Sequence, residues 1–384
     1  MVTGRILFWV SALKHLFYSS GLSMAGGSVT IAVVADMWGP DNHQYGLAYV
    51  VWSSVSAAAI APLVGGFIRV YAQPGPSWRW IFYVEIIKGV ACQLACFFLP
   101  ETRSTILLDR EAQRRRKEAA KQGIELNIWG PNEVKEQRIT LHEIVEANDQ
   151  IPGFSDMLIF IFLDSFADVF GQWGFTPWQT GLCFVSILVA YLLVWGSYLP
   201  FFRSAEKKRS RGVNVAPEER LYWLLWLAPL EAIGLFGFAW TSLGPDRGVH
   251  WFGPVFFAGV IGIANYAIYM STVDYMVAAY GEYSASACGG NGFARDFLSG
   301  IAAMFATPFY KHFPRYTLEY PTTILACIAV VLIVPIFLLY FYGPTVRKNS
   351  KFAMTLANER ESTNIRHQVR EEKAKTSQHI EHSA

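Results

Sequence analysis

The chain has 384 residues, of which 53% are hydrophobic, 15% aromatic and only 16% charged, with a formal net charge of +2. Soluble domains carry about a quarter charged residues, and no block here is basic enough for a nucleic-acid surface. The charges are also unevenly spread: long uncharged apolar runs alternate with short stretches that hold most of the Lys and Arg. That pattern predicts a polytopic, all-α membrane protein.

Taken in chain order, apolar segments fall at about 16–37, 46–70, 78–99, 153–170, 181–202, 221–243, 251–275, 286–309 and 321–342. Eight are long enough to cross the hydrocarbon core as a helix. The exception, 153–170, is short and carries Asp156, Asp164 and Asp168. Basic residues cluster in 101–150, in 203–211 and after Tyr342. Positive loops stay on the cytoplasmic side, so an even number of crossings must separate them, and 153–170 is expected to cross. Nine spans then leave the C-terminus cytoplasmic and the N-terminus outside. The connections on the opposite face are short, and Trp78, Trp80, Trp173, Trp178 and Trp251 sit at span ends, where amphipathic rings favour the headgroup layer.

Between the third and fourth segments, Asp109 to Gln122 (DREAQRRRKEAAKQ) interleaves acid and base as a surface helix does. Its first reading is a solvated linker helix lying against the membrane; a site for lipid headgroups or a partner is the second. The tail from residue 351 is polar and is expected to be disordered.

The five cysteines, Cys92, Cys96, Cys183, Cys288 and Cys327, all lie in apolar runs without a CxxC pair, and are expected to be small buried side chains rather than disulfides or metal ligands. There is no GxxxxGK[ST], HExxH or GxSxG string, so no P-loop, metalloprotease or serine-hydrolase chemistry is indicated. Neither an enzyme nor a cofactor or metal site is expected.

Ionisable residues at bilayer depth are costly and mark pathways or pairs. Glu85 and Lys88, three apart, share a helix face and should neutralise each other; Arg295 and Asp296 form a second expected pair. Asp164, Glu231 and Asp274 remain as proton-coupling candidates, with a buried hydrogen-bonded acid as the bland alternative. Trp240, Tyr266, Tyr269 and Asn291 are candidates to line a substrate path, as is Phe256, although packing is the commoner role for such aromatics. Pro and Gly inside the spans, including Pro62, Gly65 and Gly66, permit close helix approach and bending.

Several strings together resemble the fungal drug:proton antiporters of the major facilitator superfamily. IAPLVGGFI (60–68) resembles the antiporter signature of their fifth helix; Pro62, Gly65 and Gly66 match, and Ala61 stands where Gly is usual. SWRWIFYVE with LPETR resembles the sixth helix and its exit, and VFGQWGF, PEERL and GLFGFAWTS resemble the seventh to ninth. YGEYSASACGGNGFAR (280–295) resembles the start of the eleventh, with Ser286, Asn291 and Arg295 at matching positions. Asp164 matches a position that is often acidic in that family. The departures are also specific: nothing resembles the first three helices, Phe17 stands about where a fourth-helix Arg is usual, and EANDQIP (146–152) replaces the apolar opening of the seventh helix.

The resemblance implies an incomplete major facilitator-type bundle of about nine transmembrane helices. Residues 1–100 would be the remnant of the N-terminal bundle (family helices four to six), 101–152 a cytoplasmic linker, 153–345 a six-helix C-terminal bundle and 346–384 a disordered tail. It further implies a monomeric plasma-membrane exporter of small hydrophobic or cationic compounds, exchanged for protons by alternating access; the alternative is a truncated remnant that inserts but does not transport.

Overall fold

The structure, a computed structural model, describes residues 30–31, 33–34, 37, 43–72, 77–98, 101, 104–121, 128–129, 151–211, 217–280, 284–313 and 318–349. The described chain is helical. In order, the helices are α1 (His43–Tyr71), α2 (Ser77–Cys96), α3 (Ser104–Lys121), α4 (Ile151–Asp164), α5 (Phe166–Gly171), α6 (Pro177–Cys183) and α7 (Val185–Ser210). After a 3-10 turn at Pro217–Leu221 come α8 (Tyr222–Leu227), α9 (Pro229–Thr241), α10 (Phe252–Tyr280), α11 (Ser284–Lys311) and α12 (Glu319–Asn349). The expected span at 16–37 and the expected disordered tail lie almost wholly outside the described residues.

Five described stretches are long and apolar enough to cross a membrane: His43–Tyr71, Pro177–Lys208, Glu218–Thr241, Phe252–Ala279 and Glu319–Gly343. α6 with α7, and α8 with α9, thus act as single rods. Pro229 sits at the first position of α9, where a missing N–H costs nothing, and the backbone at Ala228 stays helical. The expected spans represented by α2, α4–α5 and α11 are helical but shorter or more polar. α2 carries Arg79, Glu85 and Lys88, and α11 carries Arg295 and Asp296. Both expected pairs form: Lys88 Nζ lies 2.7 Å from Glu85 Oε2, and Arg295 Nε lies 3.1 Å from Asp296 Oδ1.

The break between α4 and α5 has a local cause. Ser165 turns its hydroxyl back onto the Phe162 carbonyl, at 2.6 Å, competing with the helical ladder as serine does. Around this break lies an aromatic core. Phe162 meets Phe238 edge-on at 4.6 Å, and Phe166 lies 4.3 Å from Phe184, joining α4, α5, the junction of α6 with α7, and α9. Such pairs add about 0.5–1.5 kcal/mol each beyond their burial. α4 packs along α11, and α9 along both α10 and α12.

The outward surface is apolar: Leu193 and Val331 are 65% and 67% exposed, in company with many other large hydrophobics. A surface of this kind on a water-soluble protein would aggregate; on membrane-length helices it is the lipid-facing belt. The belt also corrects the cysteine expectation. Cys183 and Cys288 are buried, whereas Cys92 and Cys327 are exposed, because a thiol tolerates lipid as well as a protein interior.

Glycines set the closest helix contacts. Where α1 meets the start of α6, a Cβ on Gly66 would lie 2.6 Å from the Pro177 carbonyl oxygen, and one on Gly181 would lie 2.9 Å from that of Pro62. Both obstacles are backbone and cannot swing away. Gly65, its neighbour in sequence, has nothing within 4 Å. Gly66→Ala is therefore expected to lower stability by about 1–3 kcal/mol through overpacking, and Gly65→Ala to leave it unchanged or slightly raised. Thermal unfolding of the purified protein in detergent checks this; equal shifts for the two variants would refute the contact.

Candidate functional site

A chain this apolar has few reasons to bury a charge, so the charged residues that it does bury stand out. Asp274, in the penultimate turn and a half of α10, is 2% exposed. A lone carboxylate at that position would lose several kcal/mol of solvation and must be met by donors.

The donors come from two other places in the chain. The Arg220 guanidinium forms a very short ion pair with Asp274 Oδ1, and Gln44 Nε2 donates to Oδ2 at 2.8 Å. His43 Nε2 stands 3.5 Å from Oδ1 and 3.0 Å from Arg220 Nη1. Arginine has no acceptor, so the contact with Arg220 is a hydrogen bond only while His43 Nε2 is unprotonated. All four side chains are buried.

Local structure explains why these residues converge. The 3-10 turn has three residues per revolution, so its successive side chains point about 120° apart. Glu218 goes toward α12, where a Cβ on Gly343 would lie 2.9 Å from its Cγ. Glu219 accepts from Lys208 of α7 at 3.1 Å, and Arg220 faces Asp274 of α10. His43 and Gln44 open α1. The cluster thus ties α1 to the helices beyond residue 177 at one end of the protein, the end that also holds Arg203, Lys207, Lys208 and Arg211. A small cleft of about 30 Å³ lies beside it, lined in part by Gln44, Lys208 and Arg220. Tyr45, next on α1, donates to Glu206 of α7 at 3.2 Å.

A ladder of tyrosines continues the contact toward the middle of the protein. Tyr198 shares a 2.8 Å hydrogen bond with Ser271, Tyr266 donates to the Ala48 carbonyl at 2.9 Å, and Tyr191 donates to Asn265 at 3.0 Å. The Tyr266 ring lies tilted against that of Tyr191 at 6.1 Å and edge-on to that of Tyr198 at 6.2 Å. α1 is therefore held to α7 and α10 by directed bonds as well as by packing.

The remaining candidates are dispersed. Asp164 is exposed at the α4–α5 break, with Thr307 Oγ1 at 3.4 Å from its Oδ2. Glu231 is buried on α9, outside the Asp274 cluster. Trp240 is half exposed at the end of α9, and Tyr269 lies beneath the Arg295 guanidinium at 5.0 Å. Asn291 is buried on α11, and Pro62 and Gly66 belong to the α1–α6 contact described above. Sequence reasoning picked Asp274 but missed Arg220, His43 and Gln44. The signal that could have found them is the requirement that a buried carboxylate have a counter-charge, since Arg220 adjoins a span.

No family model matches the chain. Among curated proteins it is similar to the major facilitator superfamily multidrug transporter FLU1 of Candida albicans, 28% identical over 88% of this chain and 57% of that protein. The MFS-type transporter pyvG of Aspergillus violaceofuscus is 30% identical over 89% of this chain and 63% of its own length. A probable drug/proton antiporter of Saccharomyces cerevisiae, YHK8, is 28% identical over 89% and 66%. The chain spans less than two thirds of the length of each of these relatives.

The Asp274 cluster yields a stability prediction. Asp274→Ala and Arg220→Met should each cost about 3–5 kcal/mol, because each strands a buried charge. The double variant should cost clearly less than the two together, since its partners are contacting residues whose effects do not add. Unfolding in detergent of all four proteins measures the difference; strict additivity would mean that the two groups do not form a pair.

Proposed function

Because the chain belongs to the fungal multidrug and drug:proton antiporter family of the major facilitator superfamily, we propose that it exports small hydrophobic or cationic compounds in exchange for protons. It is a multi-pass membrane protein of a transporter family, not an enzyme. In this reading the helices of residues 153–345 rock against those of residues 1–100, and the chain sits in the plasma membrane with the basic end and C-terminus in the cytoplasm.

The observation that supports it most is the Asp274 cluster, which joins α1 to α10 at the basic end. An ion pair that spans two helix groups is stable in only one of two arrangements, which is what a rocking carrier needs at a closed end. With this latch made, the cytoplasmic end is shut, and breaking it would let that end open. Breaking it leaves Asp274 and Arg220 exposed to water entering the gap, which offsets the lost pair. The cost of switching is thereby kept small enough for a proton or a substrate to drive it.

Asp164 is the proton-loading group in this scheme. It lies thirteen residues along α4 from Ile151, about 20 Å at helical rise, and so in the half of the bilayer away from the latch. Its carboxylate is exposed at a helix break. It can take a proton from outside while the latch is closed. Glu231 and Asp274, buried in this arrangement, cannot. Substrate would bind between the two helix groups near the midplane, as carriers of this architecture arrange it, with Trp240, Tyr266, Tyr269 and Asn291 as the candidates to line its path.

A second reading has its own observation. No side chain of α2 between Trp78 and Ala95 is buried, and α2 packs chiefly on α1, so the first helix group is thinly held, as in a chain that inserts without cycling. Accumulation of a lipophilic cationic dye by proteoliposomes under an imposed pH gradient separates the two. The exporter reading expects gradient-dependent dye movement that Asp164→Asn uncouples without loss of protein from the membrane. Dye movement that never depends on the gradient would overturn proton exchange, and none at all would favour the non-cycling reading.

A further inference from the structure

The helix between the two groups of spans has a face that neither the fold nor the transport reading uses. α3 carries six basic and three acidic residues. Their arrangement matters more than their number. Arg110, Arg114, Lys117 and Lys121 follow one another at intervals of four, three and four, so they form a single stripe along the helix. All four are exposed. On the opposite side Ala112 and Ala119, seven apart, are 6% and 9% exposed. The helix therefore has an inner side already covered and an outer side that is basic.

The ion pairs along the helix neutralise only one member of this stripe. Glu111 is taken by Arg115, at 2.9 Å, and Glu118 by Arg114, at 3.0 Å; of these partners only Arg114 is on the stripe. Arg116, off the stripe, lies over the Trp129 ring at 4.8 Å. Arg110, Lys117 and Lys121 have no ion partner among the described residues. At the N-terminal end the stripe is extended by Leu107, one turn before Arg110, which is exposed together with Leu108.

Position supplies the partner. α1 starts at the latch and α2 runs back, so α2 ends at the basic end of the protein. Residues 97–103 are all that separate α2 from α3, a reach of at most about 25 Å. A helix tethered so closely to a membrane span lies at the headgroup layer. There, exposed leucines meet the acyl boundary and a row of cations meets anionic phosphates.

We infer that α3 docks on the anionic cytoplasmic leaflet through Leu107, Arg110, Arg114, Lys117 and Lys121. The occupant of this face is the lipid surface itself, recognised by charge and by shallow insertion of leucine. The side of the membrane follows from the proposed orientation; the docking does not.

The test is hydrogen exchange of residues 104–121 in the full chain. The chain is reconstituted in nanodiscs of phosphatidylcholine alone or with phosphatidylserine added, which present the same lipid on both faces and need no transport. Exchange is expected to slow about tenfold or more with the anionic lipid and to recover at high salt, since each basic residue near an anionic surface contributes measurably. Removing two stripe charges, Arg110→Gln with Lys117→Gln, should lose about tenfold of that protection. The charge-matched pair off the stripe, Arg115→Gln with Arg116→Gln, should retain it. Equal exchange in the two lipids would overturn the inference, as would equal loss from both double variants. Protection that arises only on adding an acidic protein would likewise overturn it, in favour of a protein partner.

Discussion

Much of this structure follows from the cost of placing one carboxylate, Asp274, where water is scarce. An isolated anion there would be intolerable, and the three groups that compensate it come from 54 and about 230 residues away. To bring them in, the chain must start α1 with two polar residues at the bundle's end. It must also present Arg220 from a tight turn rather than a straight helix, and align α10 so that Asp274 faces both. A hydrophobic side chain of similar size would pack there with less demand on geometry. What the ion pair adds is a definite register between two helix groups and a contact with two states, made or broken.

The contact is supported along its length by features of different strength. Beyond the latch, the tyrosines of α7 and α10 bond to Ser271, Asn265 and the Ala48 carbonyl. At the far end of α1, Gly66 and Gly181 bring backbone against backbone. α1 is therefore fixed at its start by charge, a turn further on by the Tyr266 hydrogen bond to the Ala48 carbonyl, and near its end by close packing. Packing without side chains is the least forgiving of the three to substitution, and the ion pair the most responsive to protonation and water. That ordering places the changeable contact at one end only, as a hinged or rocking arrangement requires. α2, by contrast, has little to hold it beyond α1.

The helical membrane class was legible in the distribution of charge, because the absence of Lys, Arg, Asp and Glu over about twenty residues has one physical explanation. The local pairs Glu85–Lys88 and Arg295–Asp296 were legible too, since helix spacing brings such residues together without knowledge of tertiary structure. Resemblance carried the family. What sequence could not provide was the convergence of His43, Gln44 and Arg220 on Asp274: each lies at a segment end, where polar residues are ordinary, and only the packing of α1 against α10 gives them a common target. The cysteines show a related limit. An apolar run states that a residue avoids water, and leaves open whether it faces lipid, as Cys92 and Cys327 do, or protein, as Cys183 and Cys288 do.

The most direct measurement of the central claim is the distance between α1 and the Arg220 turn in a lipid nanodisc. Spin labels at Tyr49 on α1 and Tyr222 on α8, both exposed, report it by pulsed electron paramagnetic resonance in a cysteine-free background. With Asp274 intact the account predicts one dominant short distance. With Asp274→Asn it predicts a second, longer population as the latch opens. An unchanged distribution would contradict the account, since α1 would then be held in place without the buried pair.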